Sequence, residues 1–91
     1  METQEQVAAR WQDLGYSCDL WVDAPGQVWS DFVHDVDELV QVMAGELEMT
    51  YSGRTLRMGP GQECHIPAGA AHTVKNVGGT TARWLYGYKR G

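Results

Sequence analysis

Apolar residues recur along this chain at two periods, and the change between them falls near Gly15. Val7, Trp11 and Leu14 stand at i, i+4 and i+7, the spacing of one helix face, before Gly15 ends the pattern. Thr3 with Gln6 three residues later has capping-box form, so the pattern predicts a short amphipathic helix over about residues 4–14. Beyond it the period is two. Tyr16 to Val22 reads as a strand, Asp23-Ala24-Pro25-Gly26 as a turn, and Val28 to Phe32 as the next extended run. Trp21 and Trp29 flank that turn and are expected to pack rather than to serve as ligand platforms.

From Phe32 to Val42 the β-branched Val33, Val36, Val40 and Val42 favour one long strand, bent near Asp35. Parity then puts His34, Val36, Glu38, Val40 and Val42 on one face, and Asp35, Asp37, Leu39, Gln41 and Met43 on the other. Ala44-Gly45 is expected to close a hairpin onto Leu47, Met49 and Tyr51, and Ser52-Gly53 to close a second onto Leu56 and Met58, as in a regular meander. Gly59-Pro60-Gly61 and Pro67-Ala68-Gly69 supply further turns. After them His72, Val74 and Asn76 share a strand face, Gly78-Gly79 turns the chain, and Thr80 to Tyr88 aligns Trp84, Tyr86 and Tyr88. About seven or eight such strands predict a closed or double-sheet antiparallel barrel.

A length of 91 residues gives one domain, and 43% hydrophobic content with four Trp and four Tyr is enough to fold it. A net charge of −5 without a basic cluster excludes a nucleic-acid surface. The first residues lack a signal-peptide pattern, and no window approaches about eighteen apolar residues, so neither export nor a membrane is indicated and a cytoplasmic location is expected. Cys18 and Cys64 are then expected as reduced thiols.

The chemistry lies where His34, Glu38 and His72 meet on inward faces. Two imidazoles and a carboxylate in an apolar barrel need compensation, which a divalent cation supplies directly; a water-filled cavity with a Glu–His hydrogen bond is the alternative. Cys64 and His65 are neighbours, so one of them faces inward, and His65 there would add a donor, whereas a structural His65 would not. Asp35 and Asp37 have outward parity and are expected on a solvated or salt-bridged face, as are Glu46 and Glu48.

Gly61, Pro67, Gly69, His72 and Asn76 match in full the spacing Gly, five residues, Pro, one, Gly, two, His, three, Asn. Glu38 and Gly45, with six residues between them, fit a second motif whose preceding His falls at His34, while its first His position holds Phe32. On these residues the chain resembles the cupin superfamily over about residues 29–88. The resemblance implies an all-β, cupin-type double-stranded β-helix, or jelly-roll, barrel with a short N-terminal α-helix. It makes residues 1–91 a single cupin domain, with the helix at about 4–14 and the barrel at about 16–89. It also implies His34, Glu38 and His72 as metal ligands for Fe, Mn, Ni or Zn, with Phe32 leaving a coordination position open. Phe32, Cys64, His65, Trp84 and Tyr86 are the candidate pocket residues. The function implied is that of a metal-binding small cupin, a metal-dependent enzyme acting on a small molecule. The alternative is a non-catalytic binding or sensor module with a degenerate or metal-free site. No catalytic residue is assigned, and a homodimer is expected.

Overall fold

Period-two alternation becomes eight strands in the computed structural model, which describes residues 1–90. The helix α1 (Gln4–Asp13) is followed by β1 (Asp19–Asp23), β2 (Val28–Phe32), β3 (Glu38–Ala44), β4 (Leu47–Tyr51), β5 (Arg54–Met58), β6 (Glu63–Ile66), β7 (His72–Asn76) and β8 (Ala82–Tyr88). Gly91, the last residue of the expected 1–91 span, lies outside the described residues. All strand pairs are antiparallel, in one sheet ordered β1-β8-β3-β6 and another ordered β2-β7-β4-β5. This is a jelly roll, as the resemblance implies: an all-β double sheet with one short N-terminal helix.

The expected meander is corrected by this topology. β4 and β5 do form a hairpin, but β3 and β4 lie in different sheets, so Ala44-Gly45 is a crossing and not a hairpin. Gly45 suits the crossing because its φ is 85° and a Cβ there would stand 2.9 Å from the Cα of Ala82, at the start of β8. The single long strand from Phe32 to Val42 is corrected as well. β2 ends at Phe32 and residues 33–37 form a loop that carries the chain from one sheet to the other. A register shift between Trp29 and Phe32 and the positive φ of Asp31, 58°, turn the strand before it leaves. Val33, 59% exposed, shows sheet membership overriding the β propensity of its side chain. Tyr16 contributes only an isolated bridge to Lys89, so the first strand is shorter than its sequence pattern.

Between the sheets pack Val40, Val42, Leu47, Met49, Met58, Ile66, Val74 and Trp84. A second cluster lies outside: Val7 and Trp11 of α1 cover Leu39 of β3 and Leu85 of β8. β3 is therefore buried on both faces, which explains its nearly continuous apolar run. Thr3 and Gln6 form the expected capping box, but Leu14 is the C-cap, 51% exposed, and does not extend the stripe. Arg10 ties the helix down by bridging Glu2 and Glu63, and the Trp11 indole N–H donates to Glu63. Among the described residues, no helix is long and apolar enough to cross a membrane.

Candidate metal centre and aromatic pocket

Three different pieces of backbone deliver the histidines and the glutamate. His72 opens β7, paired at its Cα with Tyr51 and with Phe32. Glu38 opens β3 between Ile66 and Tyr88. His34 lies in the 33–37 loop, so a fastening and not strand parity brings it inward. Its carbonyl accepts from the Gly69 N–H at 2.8 Å, joining the loop to the turn that precedes His72. Asp37 secures the same loop: its carboxylate accepts from the Ala68 N–H at 2.8 Å and its carbonyl from the Lys89 N–H at 2.9 Å. The exposed Asp37 carboxylate also pairs with His65 at 3.1 Å.

Glu38 Oε1 stands 3.3 Å from His72 Nε2 and 3.6 Å from His34 Nε2. It is nevertheless the one buried side-chain oxygen or nitrogen, among the described residues, with no hydrogen-bond partner. The contacts are close enough for charge attraction but are not aligned as hydrogen bonds. His72 turns Nδ1 toward the Ala70 carbonyl at 3.4 Å, which leaves the lone pair of Nε2 facing the carboxylate. Two acceptors so placed need a positive charge between them, either a proton or a metal ion. Burial opposes the cationic form of His72, but the adjacent carboxylate of Glu38 and the Ala70 carbonyl outweigh it, and the His72 pKa is raised. On the far side, Tyr88 Oη lies 3.4 Å from His34 Nε2. Burial first, then the charge of Glu38, pushes that phenol up to about 12, so it holds its proton at neutral pH.

One donor atom from each of His34, Glu38 and His72 lies within 4.8 Å of the others. Bonds of about 2.1 Å around a four- to six-coordinate ion give donor–donor edges of about 3.0–3.4 Å, close to both Glu38–imidazole separations. Two imidazole nitrogens and one carboxylate oxygen are also borderline donors that suit first-row ions. The spacing and donor set fit a divalent metal.

Above this cluster opens a cavity of about 200 Å³. Its wall is a closed circuit of rings: Phe32 to Trp29 at 6.2 Å, Trp29 to Trp21 at 5.4 Å, Trp21 to Tyr86 at 6.1 Å, Tyr86 to Tyr88 at 5.8 Å, Tyr88 to His34 at 4.8 Å, and His34 back to Phe32 at 6.2 Å. Glu38, His72, Val74 and Trp84 are the buried lining residues that make its floor. Phe32, Trp84 and Tyr86 thus take pocket positions, and so do Trp21, Trp29 and Tyr88.

Trp21 and Trp29 were expected only to pack, and the reason they do more is Asp23. Asp23 Oδ1 accepts the indole N–H of Trp21 at 2.8 Å and of Trp29 at 2.9 Å, while Oδ2 accepts that of Trp84 at 3.0 Å. One buried carboxylate therefore turns three indoles by their N–H edges. The Trp21-x-Asp23 spacing carried a signal for this, because residues two apart share a strand face and a buried Asp requires donors.

Neither Cys64 nor His65 lines the pocket. His65 points outward to Asp37. Cys64 does face inward, but β6 pairs it with Val40, one inward step deeper than Glu38, and it packs in the core. Burial there, with Glu38 and Glu63 adding to it against the Tyr51 hydroxyl, raises its thiol pKa to about 12.

A family model described as "Cupin domain" matches residues 19–88. No curated protein sequence matches the chain. Among solved structures, a protein of Thermus thermophilus is 27% identical with a TM-score of 0.74, covering 84% of this chain and 74% of its own. Oxalate oxidase in complex with the substrate analogue glycolate is 29% identical with a TM-score of 0.76, over 84% of this chain and 42% of its own. This chain therefore spans less than half the length of that enzyme. The cupin domain of an XRE-family transcriptional regulator from Enterobacter cloacae is 22% identical with a TM-score of 0.76, over 88% of this chain and 86% of its own, a likeness of fold alone.

Proposed function

The chain belongs to the cupin domain family, and from that premise we propose that it binds one first-row divalent metal through His34, Glu38 and His72 and receives a small molecule in the cavity above. The observation that carries this reading is Glu38 Oε1, buried and without a hydrogen bond between two imidazole nitrogens. An unpaired buried carboxylate costs several kcal/mol unless a cation answers it. Fe, Mn, Ni and Zn all suit the donor set. When bound, such an ion supplies Lewis-acid or redox chemistry at the positions the protein leaves open.

The other residues have separate tasks. Ala70 orients His72, and the Gly69 contact orients the loop of His34. Phe32 stacks beside His34, its ring 5.9 Å from that of His72, and keeps water from the side where a fourth donor would stand. Tyr88 offers a protonated phenol beside the site, able to donate to a bound oxygen. The likeness to oxalate oxidase, which holds the substrate analogue glycolate, favours an enzyme acting on a small molecule. A binding or sensor module is the second reading, favoured by Phe32 in the place of a donor. Metal analysis of protein purified without a histidine tag, with melts under Mn, Fe, Ni, Zn and a chelator, tests the common premise. Bound metal and a chelator-sensitive melt are expected. No metal and an unchanged melt in every condition would sink it.

A further inference from the structure

We propose that the cavity recognises a small organic cation of the quaternary-ammonium kind, held against Trp21, Trp29 and Trp84 at the end that Asp23 organises. The inference rests on the reading of the cavity as a ligand site, but not on the metal being present. Adjacent rings stand at steep angles, 82° for Trp21 with Trp29 and 75° for Trp21 with Tyr86, as the walls of a box do. Centroids 5.4–6.5 Å apart around Trp21 put several ring faces within reach of one charge, where each attracts a cation through its quadrupole.

The carboxylate of Asp23 strengthens that attraction in two ways. It accepts the N–H of all three indoles, which pushes electron density onto the rings, and its own negative charge lies behind them, out of contact with solvent. No Lys or Arg lines the cavity among the described residues, so a small dicarboxylate such as oxalate finds no cationic side chain there. The tryptophans and the imidazoles line one cavity, with Phe32 between Trp29 and His72 on one side and Tyr86 and Tyr88 between Trp21 and His34 on the other. A cavity of about 200 Å³ admits a head group of this size but not a large ligand.

The test is a titration of tryptophan fluorescence with choline, with oxalate and with dimethylbutanol, the uncharged analogue in which a tert-butyl group replaces trimethylammonium. Chelator-treated and metal-loaded protein are both titrated, and metal binding is followed calorimetrically in the same samples. Choline is expected to bind about tenfold or more tightly than its uncharged analogue, since shape and apolar area are matched and the cation–ring attraction is not. Trp21→Leu should remove most of that preference and Asp23→Asn should narrow it. Trp21→Tyr, which keeps a ring but loses the bond to Asp23, stands in if Asp23→Asn does not fold. Equal or weaker binding of choline than of its analogue, or tighter binding of oxalate, overturns the cation proposal. If metal still binds in that case, the proposed metal site survives, whereas loss of metal and of every small molecule together removes both.

Discussion

Glu38 Oε1 and His72 Nε2 stand 3.3 Å apart with no hydrogen bond between them, although both side chains are buried. The fold holds a negative charge next to a ring nitrogen and leaves the charge unanswered, so function and stability should separate at this position. Glu38→Gln keeps the shape and removes the charge. Above the raised His72 pKa, where no proton on that ring answers the carboxylate, the metal-free variant should melt no lower than the parent, and by up to several degrees higher, because an uncompensated buried carboxylate is lost. Its response to metal should vanish. In the parent, metal at a hundredfold excess over Kd adds about 2.7 kcal/mol, or about 10 °C or more for a domain of this size. Melts of both proteins with metal and with chelator decide it, and a variant that keeps the full metal shift would remove Glu38 from the ligand set.

The raised pKa of His72 makes the metal-free and metal-loaded proteins respond to pH with opposite signs. In the metal-free fold, the proton on His72 is favoured relative to the unfolded value of 6.5. The stability it contributes is fully present below about pH 6.5 and is lost as pH rises through the raised value. Metal competes for the same nitrogen, so the melting shift it induces should grow over that pH range and shrink below it. Melts from about pH 5.5 to about pH 8.5, with and without metal, check this. A metal shift that does not change with pH would mean that His72 gives up no proton to bind it.

What could be read from the sequence was local, and what could not was a matter of which strand meets which. The capping box, the β4–β5 hairpin and the inward faces of β7 and β8 follow from spacing alone. Asn76 shows how a motif residue can be visible while its work is not. Its amide donates to the carbonyls of Asp23, Ala24 and Thr80, pinning two turns together, and it touches no ligand position. His34 was placed on the right side for a reason that does not hold, since residues 33–37 leave the sheet and the Gly69 contact returns the side chain to the site. The tryptophan box was missed because Asp23 meets Trp84 across 61 residues of chain, a pairing no local period encodes.

The packing of α1 depends on a glycine of β8 as well as on the buried Val7 and Trp11. A Cβ on Gly87 would stand 1.9 Å from the Ser17 carbonyl oxygen and 2.8 Å from the Trp11 ring, and the first of these is backbone that cannot step aside cheaply. Gly87→Ala should cost about 3 kcal/mol or more, at the upper end of overpacking, and should release the helix. Gly79→Ala, where a Cβ meets nothing within 4 Å, should change stability by less than about 0.5 kcal/mol. Denaturant melts of the two variants test the contrast, and equal stability would mean that Ser17 and α1 are not seated against β8 as described.

Phe32 is the residue that decides how many donors the site has. Its Cα pairs with that of His72, and its ring lies 5.9 Å from the His72 ring and 6.2 Å from the His34 ring. At 40% exposure it supports little of the core, so replacing it should leave the fold intact. Phe32→His should then add a fourth donor and tighten metal binding about tenfold or more, equivalent to about 1.4 kcal/mol. The added ligand should also take the position open to a small anion, so azide should bind the metal-loaded variant more weakly than the parent. Calorimetric metal titration and azide competition give both readouts on one pair of proteins. Tighter metal with undiminished azide binding would place the open position elsewhere around the ion, and unchanged metal affinity in a folded variant would mean that the ring of residue 32 is not directed at the ion.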